Sequence, residues 1–401
     1  MKPRNLTFSA LLLALVLTGC ATVSPPPCPA CPACPACPTP AQPKPVAKPL
    51  QPAEWGDLPG WENDDHAAVL ALFRNQCATL GKRPLWLATC EAAEKWMAGG
   101  ATSAEVGAGG TAKAWFEAQF RPWALVNPDE SREGRVTGYY EPIVRGSRAA
   151  KPPFTVPVFG PPDDLIVVDL STLYPELKHL RLRGKIEGRK LVPYFSREEW
   201  SAEEERRRQQ ALLWLDDPVD FFFLQIQGSG QVALDDGSRV RIGYADQNGH
   251  PYRSIGTWLI EKGELKAHEA SMQGIKAWAE KHPARLQELL NANPSLVFFR
   301  ELPVVGEGPP GALGVPLTPE RAIAIDPRHT PLGAPVWLAT TRPNSTEPLV
   351  RLMLAQDTGG AIRGPVRADF YWGSGPDAGS LAGRMKQSGQ MWVLLPHWHT
   401  P

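Results

Sequence analysis

Apolar positions along the chain change their period more than once, and each change predicts an element. From Asp65 to Leu80, Val69, Leu72 and Phe73 recur at three- and four-residue spacing with Gln76, which predicts an amphipathic helix. Pro84 can open a second helix running through Trp96. The stretch 54–130 reads as mainly helical, with a Gly/Ala-rich break from Gly99 to Gly110. Short strands follow at Val136 to Tyr140, Pro153 to Phe159 and Leu165 to Leu170. Ser196-Arg197-Glu198-Glu199 is a capping box that opens a helix. Glu203 to Arg208 sets opposite charges three and four apart, as on a solvated helix face. Phe221 to Gln227 reads as a strand, with Phe222, Leu224 and Ile226 on its core face and Gln225 and Gln227 on the other.

Gly228-Ser229-Gly230 breaks that run, in a spacing unlike a nucleophile elbow and suited to close backbone approach. Asp235-Asp236-Gly237 is a hairpin turn, with Val240 to Tyr244 as the returning strand. Helices are predicted from Ser254 to Lys262 and from Glu269 to Glu280. From Arg321 onward the pattern is β: Ala322–Ile325, Val336–Leu338, Leu349–Gln356, Phe370–Trp372 and Met391–Leu395. Strands at this spacing, punctuated by Gly and Pro, suggest a small closed barrel. The fold class is therefore mainly β with N-terminal helices, α+β.

The first residues carry an address. Lys2 and Arg4 precede an apolar run from Phe8 to Leu17, far short of the ~20 residues that span a bilayer, so the run reads as a secretory signal. It ends in Leu17-Thr18-Gly19-Cys20, which resembles a bacterial lipobox. That resemblance implies cleavage after residue 19, acyl chains on Cys20 and, with Ala21 next, the outer membrane. Residues 20–53 are Pro-rich and without periodicity, as in an extended polyproline tether. Within the tether, Cys28, Cys31, Cys34 and Cys37 recur every third residue, on one face and ~9 Å apart. Neighbouring thiols at that spacing cannot bond within one rod, though they could cross-link chains. A cluster site is rejected, because Pro at every third place keeps the backbone from wrapping metal. Cys77 and Cys90 fall on the two N-terminal helices, where a disulfide and two buried free thiols both fit.

Composition narrows the class. Lys plus Arg number 42 and Asp plus Glu 42, which argues against nucleic acid as a partner. No His-Glu-x-x-His, Walker or dinucleotide pattern occurs, so neither a metal nor a nucleotide cofactor is expected. What remains is carboxylate chemistry late in the chain. Asp326, Asp357 and Asp369 all stand at strand boundaries, where side chains can converge on one barrel rim. Asp357 precedes Thr358-Gly359-Gly360, whose amides suit a structural anchor. Asp369 precedes Phe370-Tyr371-Trp372, and apolar surroundings raise a carboxyl pKa as a general acid requires.

Longer motifs add a family. Gly138-Tyr139-Tyr140-Glu141-Pro142, Phe223 through Gly230, and Tyr244 with Asn248 through Gly256 resemble the membrane-bound lytic murein transglycosylase A family. Asp357-Thr358-Gly359-Gly360-Ala361-Ile362-Arg363-Gly364 leading to Asp369-Phe370-Tyr371-Trp372-Gly373, with Asp326, resembles the three-aspartate "3D" domain. The resemblance runs from about 55 to 395. It implies a double-psi β-barrel built from 54–142 with 305–396, an inserted β-rich domain at 143–304, a glycan groove between them and a tail at 397–401. It also implies that Asp369 is the catalytic acid and base, with Asp326 and Asp357 as supporting carboxylates. Thr137, Gln225, Gln227, Ser229 and Tyr371 are candidate substrate contacts. The implied partners are peptidoglycan glycan strands, outer-membrane lipid through acylated Cys20, and other cell-wall enzymes. The implied reaction cleaves the β-1,4 bond between N-acetylmuramic acid and N-acetylglucosamine by attack of the sugar's own O6, with no cofactor. Two rivals remain: a water-using muramidase with Glu141 or Asp357 as base, and a glycan-binding lipoprotein without catalysis.

Overall fold

The structure, a computed structural model, describes residues 47–99, 110–303, 306 and 308–400. The expected signal, Cys20 and the Cys28–Cys37 tether lie outside them. Among the described residues, no helix is long and apolar enough to cross a membrane.

Asp65 caps the first helix, His66–Leu80, its Oδ1 accepting from the Ala68 amide at 3.0 Å. The second helix is Leu87–Ala98, starting three residues after Pro84. A Cys77–Cys90 disulfide joins the two, so the pairing is the outcome of the two readings left open. With the Ala112–Gln119 helix they bury Val69, Phe73 and Phe116 in one core with Val336, Leu338 and Leu394 of the barrel. Gln76, also buried, donates to the Gly333 carbonyl at 2.8 Å and accepts from Gln356, tying that helix to the barrel.

Six strands close the barrel in the order Lys386–Pro396, Pro335–Thr341, Pro348–Thr358, Ala322–Ile325, Arg367–Ser374 and Gly134–Glu141, which pairs back with Lys386–Pro396. Two pairs are parallel: Ala322–Ile325 with Pro348–Thr358, and Arg367–Ser374 with Gly134–Glu141. The other neighbours are antiparallel, the pattern of a double-psi barrel. Gly138 has to be glycine: a Cβ there would stand 2.7 Å from Trp372 Nε1 and 2.8 Å from the Ala382 backbone, closing the seat of the Gly375–Arg384 helix.

At Pro142 the chain leaves the barrel for a second sheet, ordered Val297–Leu302, Arg239–Gln247, Ser229–Leu234, Ile143–Ser147, Ala211–Leu215 and Val156–Phe159. A three-stranded sheet, Ile166–Val167, Arg183–Glu187 and Lys190–Pro193, lies within the same stretch of sequence. The capping box is formed, with Ser196 and Glu199 bonding reciprocally at the start of Arg197–Arg207. The helices predicted after Ser254 and Glu269 appear as Ile255–Glu261 and Met272–Lys281.

One predicted element is overturned. Pro218–Gln227 is an α-helix and no strand. Asp217 caps it by accepting from the Val219 and Asp220 amides, Pro218 holds its first turn, and Gly228 ends it at φ +79°. Those end signals outweigh the β-leaning Phe-rich interior. Gln225 and Gln227 therefore lie about 200° apart around a helix, on different faces.

Candidate active site

The parallel pairing of Arg367–Ser374 with Gly134–Glu141 sets Asp369 directly beside Thr137, and Tyr371 beside Tyr139. Thr137 Oγ1 donates to Asp369 Oδ1 at 2.5 Å, and Arg367 Nη2 donates to Thr137 Oγ1 at 2.9 Å. The guanidinium thus occupies a lone pair of the hydroxyl and turns its proton toward the carboxyl. Asp369 itself is partly buried in the barrel wall. Desolvation pushes its carboxyl up to about 6, against the opposing pull of Thr137 and Arg367 and with help from the Asp357 charge.

The source of that desolvation differs from the one read in the sequence. Phe370 and Trp372 point to the other side of the strand, into the barrel core with rings 4.7 Å apart. On the Asp369 side stand Tyr371 and Tyr139, with ring centroids 5.2 Å apart over Leu317 and Ala322. Alternation along a strand decides this: adjacent aromatics are on the wrong face, and the second tyrosine comes from a strand far away in sequence.

Asp357 is an anchor, though not through Gly359 and Gly360. Its Oδ1 accepts from the Ala312 and Thr358 amides, each at 2.9 Å, and so holds the 311–313 loop against the end of the Pro348–Thr358 strand. Burial raises its carboxyl, and those amides offset part of the rise. Tyr139 brings a buried hydroxyl to the same place. Burial, the charges of Asp357 and Asp369 and an approach to the Asp357 carboxylate push this phenol far up. The sequence reading did not single out Tyr139 for chemistry; its position opposite Tyr371 emerges only with the register.

Asp326 is turned away to other work. Arg328 Nε and Nη2 grip it at 2.9 and 2.5 Å, and the Gly364 amide donates to it at 2.9 Å. Burial pushes this carboxyl up, but the guanidinium and amides outweigh it and hold the group well below the usual carboxylate range. Glu141, fully buried, is locked too: Arg241 Nε donates to Oε1 at 2.7 Å, while Gln231 and Ser374 donate to Oε2 at 2.9 and 2.7 Å.

The candidate contacts separate. Thr137 is at the acid. Tyr371 is buried, its hydroxyl 3.5 Å from Ser374 Oγ, and packs against Tyr139. Gln227 is half-buried and its Oε1 accepts from the Tyr140 amide at 3.2 Å, beside the acid-bearing strand pair. Ser229 is half-buried at the start of its strand. Gln225 is buried inside the second sheet region, accepting from Arg197 at 2.6 Å, so it does not share a face with Gln227. Among the described residues no His, Cys, Asp and Glu cluster could hold a metal ion.

A closed barrel with a raised carboxyl on its wall and a six-stranded sheet inserted between its strands matches the class of lytic murein transglycosylases with a 3D domain. The family model described as "MltA specific insert domain" matches residues 135–300, and the "3D domain" model matches 321–395. Membrane-bound lytic murein transglycosylase A of Escherichia coli K12 is 33% identical over 294 residues, 72% of each chain. The crystal structure of MltA from Neisseria gonorrhoeae superposes with a TM-score of 0.74 at 39% identity, covering 88% of this chain and 94% of that one. E. coli MltA with bound chitohexaose superposes with a TM-score of 0.65 at 27% identity, covering 87% and 95%. The chain belongs to the membrane-bound lytic murein transglycosylase A family.

Proposed function

We propose that this protein cleaves the β-1,4 bond between N-acetylmuramic acid and N-acetylglucosamine in peptidoglycan and leaves a 1,6-anhydromuramic end, with Asp369 as its sole acid and base. One observation carries the reading. Among Asp326, Glu141, Asp357 and Asp369, the first three are held by arginines or amides, while Asp369 has the Thr137 hydroxyl as its partner and a pKa near working pH. Protonated Asp369 gives its proton to the leaving glycosidic oxygen. The resulting carboxylate then takes the proton of the sugar's C6 hydroxyl as O6 attacks C1. A positioned group of this kind supplies roughly 10²–10⁴ in rate. The internal hydroxyl replaces the second carboxylate and water of an ordinary glycosidase, and its proximity adds several kcal/mol. Thr137 orients the acid, Asp357 keeps the 311–313 loop in place, and Asp326 holds the 363–364 turn.

The chitohexaose held by the E. coli relative, a β-1,4 chain of N-acetylhexosamines, supports a glycan groove here. Gln227 and Ser229, next to the Tyr140 strand, are proposed to meet acetamido groups there. The relatives' designation as membrane-bound supports a chain tethered to the outer membrane through acylated Cys20 and facing the periplasm, where other cell-wall enzymes are partners.

Digestion of purified sacculi tests the reaction. Wild type should release anhydro-ended muropeptides, and Asp369→Asn should release none while melting normally. Reducing ends in place of anhydro ends would overturn the internal attack. Unchanged release by Asp369→Asn would overturn the assignment of the acid.

A further inference from the structure

The second sheet region holds a cavity of its own, about 190 Å³, lined among others by Arg197, Trp200, Phe221, Gln225 and Phe298. That is room for about six waters at ~30 Å³ each, or for one acylated amino acid. Its walls mix apolar and polar groups, and a guanidinium is buried in them. Arg197 is 7% exposed. Its Nε donates to the Asn293 carbonyl at 3.0 Å, and Nη2 donates at 2.6 Å to both the Ser295 carbonyl and Gln225 Oε1. The Phe222 ring lies 4.8 Å from the guanidinium carbon.

All these partners are neutral. No carboxylate pairs with Arg197 among the described residues, and Nη1 makes no hydrogen bond there, although it is not sealed within protein. Among the described residues Nη1 thus keeps its donors free of protein partners, on a side chain that lines the cavity. Holding carbonyls needs only neutral donors, whereas a buried cation without a counter-ion is costly. A guanidinium with an open edge is the group that takes a carboxylate. At the rim, Ser201 and Gln287 are joined at 3.2 Å and supply further polar atoms, and Glu204 completes it. Burial raises the Glu204 carboxyl.

We propose that this cavity binds a small monocarboxylate with an apolar body, its carboxylate on the open edge of Arg197 and its body between the aromatic walls. Such a group is found at the C-terminus of a short peptide, including one borne on a glycan, and in a free acylated amino acid. The reading is independent of the reaction proposed for Asp369.

Calorimetric titration of the full chain with N-acetyl-D-alanine tests it, with N-acetyl-D-alaninamide as the uncharged control. Wild type should bind the acid saturably, in the millimolar range or tighter, and ignore the amide. Arg197→Gln, which keeps donors for the carbonyls, should weaken binding tenfold or more, and Ser201→Phe, which fills the space, should abolish it at unchanged helicity. No saturable heat from the folded wild type at ~20 mM acid would overturn the proposal, since binding that weak is worth under ~3 kcal/mol. Equal affinity for acid and amide, or full binding by Ser201→Phe, would overturn it as well. With binding measured, digestion of peptide-bearing and peptide-free glycan separates the sources. A preference for peptide-bearing strands that Ser201→Phe removes assigns the carboxylate to the glycan, and no difference assigns it to the free acid.

Discussion

Thr137 and Asp369 are 232 residues apart in sequence and 2.5 Å apart in space, and their contact sets how the acid titrates. A hydroxyl that donates to the carboxyl favours the ionised form. Thr137→Val should therefore raise the Asp369 pKa above about 6 and move the alkaline limb of the activity profile upward, whereas Thr137→Ser should leave the limb in place. Transglycosylation by wild type should fall as pH rises through about 6, because the proton donor is lost. The same titration bears on stability. An aspartate raised from an unfolded value of ~3.9 gives a contribution that is full below that value and lost as pH rises through the folded one. Asp369→Asn, which keeps the fold and melts normally below the unfolded carboxyl pKa, should therefore melt higher than wild type above pH 6, by ~1–2 kcal/mol once partial exposure is allowed for, so the normal melting asked of the digestion control means melting no lower than wild type. Calorimetric melts across pH would show it. The position of Asp369 on a strand among apolar residues was legible in the sequence. Its actual neighbours were not, because Phe370 and Trp372 face away and Tyr139 arrives through strand pairing.

At the scale of elements, what could be read was what local chemistry decides. The His66–Leu80 helix and its Asp65 cap, the Ser196 box and the Asp235-Asp236-Gly237 hairpin turn all match their sequence signals. Pro218–Gln227 did not, because three adjacent phenylalanines carry no period and the eye follows their β preference. The signal that finds this helix is at its ends: Asp217 before Pro218, and Gly228 after Gln227. Asp217→Ala should accordingly lower stability by ~1 kcal/mol in chemical denaturation, the usual cost of a lost cap. The Cys77–Cys90 bridge is the other local device. It closes a loop with a sequence separation of 13 residues between two helices that pack on the barrel. Replacing both cysteines by Ala should cost ~3 kcal/mol and several degrees of melting temperature, while sacculus digestion at low temperature continues.

For the whole molecule, the decisive ties run between the two sheets. Glu141, at the end of a barrel strand, is gripped by Arg241 and Gln231 of the second sheet and by Ser374 of the barrel. Glu141→Gln should lower stability by ~3–5 kcal/mol in denaturant titration, because it breaks the buried Glu141–Arg241 ion pair. A normally stable Glu141→Gln protein that has lost activity would instead favour Glu141 as a base for water. Barrel closure was foreseeable from the run of late strands, and its order was not, since parallel neighbours distant in sequence leave no local trace. That order has a temporal consequence. Gly134–Glu141 is seated between Arg367–Ser374 and the last strand, Lys386–Pro396, so its hydrogen bonds wait for residues added some 230 positions later. Asp369 can reach Thr137 once Arg367–Ser374 is added, but until Lys386–Pro396 is in hand the ring stays open. An enzyme assembled this way carries an open barrel for most of its synthesis, and the wall that bears Asp369 closes only once Lys386–Pro396 has been added.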